Sequence, residues 1–81
     1  MEFEWDEEKR TEVIRIRGVD FVLATQVFKD VDRIEEVDNH KDYGEVRHRT
    51  LGWVGSNRLM VVYTMRGEVC RIITAWKVES R

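Results

Sequence analysis

Eighty-one residues, 42% hydrophobic and 37% charged, describe one small soluble globular domain over residues 1–81 and exclude a disordered chain. No apolar run approaches the roughly 20 residues of a membrane span and no signal-peptide core is visible, so a cytoplasmic protein is expected. Cys70 is the only cysteine, which excludes an intrachain disulfide and a cysteine-based metal cage. The net charge of −2 argues against a polyanionic partner until the chain is divided. Residues 1–45 hold 7 basic and 14 acidic side chains, a balance of −7, whereas residues 46–81 hold 7 and 2, a balance of +5. Six of the seven basic residues in the second part are arginine, the side chain whose planar fork matches phosphate.

The alternation Glu2-Phe3-Glu4-Trp5 puts Phe3 and Trp5 on one face of a short edge strand. Asp6 is a good N-cap, and Glu7 and Glu8 suit the positive end of a helix dipole. A helix over about 7–17 follows, with Val13, Ile14 and the Ile16–Arg17 stems turned inward, and Gly18 ends it. Asp20 caps a second helix over about 21–29, in which Phe21, Ala24, Thr25 and Phe28 fall at i, i+3, i+4 and i+7. Asp32–Val37 reads as a weak strand and 38–44 as a polar loop. Glu45–Trp53 reads as a strand with Glu45, Arg47, Arg49, Leu51 and Trp53 on one face and Val46, His48, Thr50 and Gly52 on the other.

Leu59–Trp76 is the dominant stretch. Two runs of β-branched and aromatic residues flank Met65-Arg66-Gly67-Glu68, a hairpin signal in which Gly67 supplies the positive φ. Arg71 sits inside this apolar hairpin and needs a reason: an ion pair with a carboxylate, a guanidinium lying at the sheet edge, or an anion received on a concave face. Cys70, beside it, reads as a small buried hydrophobe. The order β-α-α-β-β-β-β predicts an α+β domain, two N-terminal helices packed on a mainly antiparallel sheet of four to five strands.

In this order the residues resemble the BrnT family of type II toxins, which share the RelE-like ribonuclease fold. The resemblance runs through Phe3-Glu4-Trp5-Asp6 with Lys9, then Gly18-Val19-x-Phe21 and Ala24-x-x-Val27-Phe28. It continues with Asp38 and His40, Glu45-x-Arg47, Gly52, Val61-Val62-Tyr63-Thr64-x-Arg66-Gly67 and Arg71-Ile72-Ile73-Thr74-Ala75. The chain departs from the family at three places. Asn and a Lys-His-Gly triplet in the first helix become Val13 and Ile16-Arg17-Gly18. Ser-Ala-Arg on the last strand becomes Thr74-Ala75-Trp76, with Lys77 next to it. The usual basic C-terminal helix is not in this sequence.

The resemblance implies metal-independent RNA cleavage, by attack of a 2′-hydroxyl on the adjacent phosphate, with no cofactor. Such a step needs a base, cations for the charge on the phosphoryl oxygens and an acid for the leaving oxygen. It points to Arg47 and Arg71 as phosphate clamps, Lys77 as a third cation, Glu45 as base or as the residue orienting Arg47, and Tyr63 as stacking platform or proton donor. Arg49, Arg66 and His40 would add binding. Each residue also has a plainer reading. Glu45 and Arg47 suit a pair on one strand face, and Tyr63 suits a core tyrosine with a bonded hydroxyl. His40 and His48 are too unlike in context for a metal site. The implied partners are RNA and a cognate antitoxin of ribbon-helix-helix type, with operator DNA reached only through it and no membrane. A non-enzymatic module that docks on its antitoxin and aids repression of the operon is the alternative. A nucleic-acid binder without catalysis is a third reading.

Overall fold

The computed structural model describes residues 1–38 and 44–79. The elements are β1 (Glu2–Glu4), α1 (Glu7–Arg17), α2 (Phe21–Ala24), a 3₁₀ segment (Thr25–Lys29), β2 (Ile34–Asp38), β3 (Arg47–Val54), β4 (Asn57–Arg66) and β5 (Val69–Lys77). The predicted order therefore holds. Asp6 caps α1 as expected, accepting from the backbone N–H of Glu8 at 2.9 Å, and Gly18 closes it at φ 68°. Asp20 caps α2 through Val22 N–H at 2.9 Å and also receives Arg10 through both carboxylate oxygens, at 2.8 and 3.0 Å. One aspartate thus starts a helix and fastens it to the preceding one. The second helix is shorter than its apolar pattern predicts. It tightens to 3₁₀ at Thr25, whose hydroxyl donates to Val22 O at 2.7 Å and so competes with the helical ladder.

The strands form one sheet in the order β1-β5-β4-β3-β2. Three pairs are antiparallel, but β1 runs parallel to β5, with Phe3 opposite Cys70 and Glu4 opposite Arg71. The sheet is therefore mixed, which corrects the mainly antiparallel expectation. Residue alternation fixes which side chains share a face; it does not say which neighbour a three-residue strand adopts. The tight turn between β4 and β5 has Gly67 at φ 62° and Glu68 at negative φ, the type II′ pattern that suits strand twist.

The core lies between the helices and one sheet face. Val13, Val19, Phe21, Ala24 and Val27 pack on Leu59, Val61, Ile72 and Ala75. Full burial of a side chain of this size stabilises by about 1.5–3 kcal/mol. Aromatic contacts tie β1 to this layer: Trp5 meets Phe21 edge-on at 6.1 Å and Phe3 meets Phe28 at 5.3 Å. Ile14 and Ile16 do not turn inward as the sequence suggests. They are 40% and 61% exposed, and Val13 is the one residue of α1 that is buried. Where β2 stops short of pairing with the end of β3, the Asp30 carboxylate takes over as acceptor for Trp53 N–H at 2.8 Å.

Candidate functional site

Alternation from the buried Thr50, Leu59, Val61 and Ile72 assigns Arg47, Arg49, Arg66 and Arg71 to the sheet face away from the helices. Arg71 faces Thr64 on β4. Arg47 precedes His48, the partner of Tyr63, so it flanks Thr64 on the other side. Two strand steps, about 10 Å, separate the Arg47 and Arg71 backbones. At this end of the sheet a cleft of about 290 Å³ is lined by Asp6, Lys9, Glu45, Arg47, Arg66, Arg71, Ile72 and Ile73.

The charges in the cleft are not idle. Arg71 Nη1 donates to Glu4 Oε2 at 2.8 Å, the anion that its place in an apolar strand demands. Arg66 lies between two carboxylates, 3.9 Å from Glu4 and 3.6 Å from Glu45. Lys9, one turn into α1, is 3.6 Å from Glu12. These pairs are partly exposed, so solvent screens them and a phosphate can compete for the same donors. Four cations and the carboxylates of Asp6 and Glu45 line the cleft, which gives it groups that can grip a phosphate and accept a proton beside it.

The other sequence candidates lie elsewhere. Arg49 shares the open face but is paired with Glu36 across the β2–β3 ladder. Lys77 is six residues beyond Arg71 on β5, about 20 Å along the strand. It borders a separate cleft with Arg17 and Trp76. Tyr63 is on the helix-covered face. Its hydroxyl donates to Glu35 at 2.6 Å, its ring stacks on His48 at 5.2 Å, and Phe28 meets it edge-on at 5.0 Å. Burial and then the Glu35 carboxylate push its pKa well above the ordinary tyrosine value. His40 is outside the described residues. Among the described residues no group of three or more His, Cys, Asp or Glu side chains gathers to hold a metal.

Lys9, Asp6 and Glu4 escaped selection as site residues. The capping position of Asp6 was the usable signal, because it fixes Lys9 within the first turn of α1. The parallel pairing that brings Glu4 to Arg71 left no trace in the sequence.

The chain is a small α+β fold whose open sheet face ends in a cleft that carries three arginines. The comparison with protein families is more specific. Residues 5–81 match the family described as ribonuclease toxin, BrnT, of type II toxin-antitoxin system, and the chain belongs to that family. Membership implies an antitoxin partner. No curated protein matches the chain.

Proposed function

We propose that residues 1–81 act as one RelE-like domain that cleaves RNA in the Arg47–Arg71 cleft. One observation carries this reading. All eight residues lining the cleft are among those on which the family resemblance rests, although they come from α1, β3, β4, β5 and the segment before β3. In the reaction a 2′-hydroxyl attacks the adjacent phosphorus and gives its proton to the Glu45 carboxylate. Arg47 and Arg71 hold the phosphoryl oxygens, with Arg66 beside them, as negative charge builds. The bond to the 5′-oxygen breaks, and that oxygen takes a proton from the Lys9 ammonium. The products are a 2′,3′-cyclic phosphate and a 5′-hydroxyl end. Guanidinium groups supply the positive charge, so the step runs without a metal. Lys77 and Tyr63 are left out of the catalytic set because of where they lie, and Arg49 is left to steer RNA along the face.

The partner in this reading is a ribbon-helix-helix antitoxin that reaches operator DNA on the protein's behalf, in the cytoplasm. The carboxylates already on Arg66 and Arg71 favour a second reading, a non-enzymatic module that only docks on its antitoxin. Purified chain incubated with single-stranded RNA, with products analysed for cyclic phosphate ends, separates the two. Arg47→Ala and Arg71→Ala should each lower the rate by about 10²–10³-fold. Glu45→Gln should lower it by about 10²-fold or more. Absence of cleavage by the wild-type chain leaves the docking module.

A further inference from the structure

The cations at the two ends of the sheet are held differently. In the Arg47–Arg71 cleft, Arg66, Arg71 and Lys9 are each paired with a carboxylate. At the far end, Arg17, Arg58 and Lys77 form no ion pair among the described residues. Two of the three lie on indole rings instead. Arg17 Cζ is 5.2 Å from the centre of the Trp76 ring, and Arg58 Cζ is 5.8 Å from that of Trp53. Alternation puts both tryptophans on the open face. Trp53 is the Cα partner of Arg58, and Trp76 is that of Met60, so the two flank β4 from either side with backbones about 12 Å apart. Lys77 borders the clefts beside both rings, and Glu79 is the one carboxylate lining either cleft. Trp53 is 47% exposed, and Arg17 and Lys77 are exposed as well.

We propose that this end of the sheet is a docking subsite for single-stranded RNA, about 20 Å from the Arg47–Arg71 cleft, that holds the same strand by its bases and phosphates away from the cut. Two features choose this occupant. A guanidinium without a carboxylate, laid on an indole, is a flat cationic platform, on which a base stacks while the neighbouring phosphate meets the charge. Holding the guanidinium on the ring in advance also removes part of the cost of ordering it. A second copy of the chain would bring three unpaired cations against three. An acidic protein segment would answer the charges but has no use for two flat platforms. Arg47, Arg49 and Trp53 share one face of β3, so a strand leaving the cleft passes Arg49 and reaches Trp53. At about 3.4 Å per stacked nucleotide that path takes about six nucleotides, and shorter RNA reaches one site only. Lys77, too far from Arg71 for the chemistry, has its place here. The inference rests on RNA as the substrate of the cleft and not on which residues cut it.

The test compares cleavage of a single-stranded RNA of about twelve nucleotides, long enough for both sites, with that of a tetranucleotide. In Trp53→Ala and in Arg58→Gln, kcat/KM for the longer RNA should fall about tenfold relative to that for the tetranucleotide, through KM and not kcat. Arg17→Gln combined with Lys77→Gln should flatten the dependence of log K on log salt for the longer RNA by about 1.4, or about 0.7 for each phosphate released. Wild-type length preference in the folded variants overturns the proposal. So does an equal loss on both RNAs, which is what a merely structural role would give. Displacement of the longer RNA by polyglutamate as effectively as by oligouridylate of the same charge overturns it too, and leaves an acidic protein segment as the occupant. If Trp53→Ala fails to fold, the exposed Arg17 and Lys77 pair decides through the salt slope. Should the wild-type chain cut neither RNA, anisotropy of the longer RNA made with 2′-deoxy sugars takes the place of cleavage. Binding that weakens in the variants then overturns the proposed ribonuclease activity and leaves the subsite standing, and no binding by the wild type overturns the subsite.

Discussion

On the proposed reading, Glu4 and RNA phosphate would compete for the same guanidinium groups, so Glu4→Gln and Arg71→Ala should act in opposite directions. Glu4 Oε2 is 2.8 Å from Arg71 and 3.9 Å from Arg66, and the Glu4 side chain is 40% exposed. Screened pairs of this kind contribute about 0.2–1 kcal/mol each. Glutamine keeps the shape and removes the charge, so both arginines turn to phosphate with up to about 1 kcal/mol less to overcome. That is about a fivefold gain in RNA affinity. The dependence of log K on log salt should steepen by about 0.7 for each additional phosphate held by a single strand. Arg71→Ala should weaken binding and flatten the slope by a similar amount. The assay is fluorescence anisotropy of a short single-stranded RNA, carrying a 2′-deoxy sugar at the scissile position, titrated at salt between about 50 and 200 mM. Weaker binding by Glu4→Gln would mean that Glu4 orients Arg71 and does not compete for it. An unchanged slope in Arg71→Ala would remove Arg71 from the RNA path altogether, and the competition argument with it.

Gly52→Ala should destabilise by about 1–3 kcal/mol, read as a fall of several degrees in Tm. The added Cβ would stand 3.0 Å from Val27 Cγ1, 3.1 Å from Arg33 Cβ and 3.1 Å from Asp30 Oδ2. Asp30 accepts the backbone N–H groups of Trp53 and Asp32, which holds its pKa below the ordinary 3.8. Its stabilising contribution is therefore complete above that value and lost as pH falls through the lower folded one. In acid titrations followed by circular dichroism, Asp30→Asn should show less of this loss. Burial, and then the charge of Glu35, pushes the Cys70 thiol up to about 11, so native protein at pH 8 should resist iodoacetamide and label rapidly in urea. Tyr63→Phe should cost about 0.5–1.5 kcal/mol of stability with RNA cleavage unchanged, as a hydroxyl bonded to Glu35 behind the sheet requires.

Local rules carried most of the fold. Asp6, Gly18 and Asp20 marked helix boundaries because capping is settled within a few residues. The face partition of β3 followed from alternation alone, and Thr50 is buried while Arg47 and Arg49 turn to the open face. What needed the structure was non-local. β1 pairs with β5 across nearly the whole chain, and that pairing delivers Glu4 to Arg71. The site divided along the same line. Arg47, Arg71, Arg66 and Glu45 meet because they occupy one face at one end of the sheet. Lys77 belongs to the same strand as Arg71, yet strand length takes it to the opposite end.

At that opposite end two of the chain's departures from the family resemblance come into contact. Arg17 stands where the first-helix triplet has histidine, and Trp76 stands where the last strand has arginine. In the fold they meet, with the Arg17 guanidinium 5.2 Å over the Trp76 ring beside a cleft of about 430 Å³. The guanidinium sits at the end of α1, where the negative pole of the helix favours it, and β5 supplies the ring beneath it. This cation–ring contact stands at the opposite end of β5 from Arg71, so it holds positive charge away from the Arg47–Arg71 cleft.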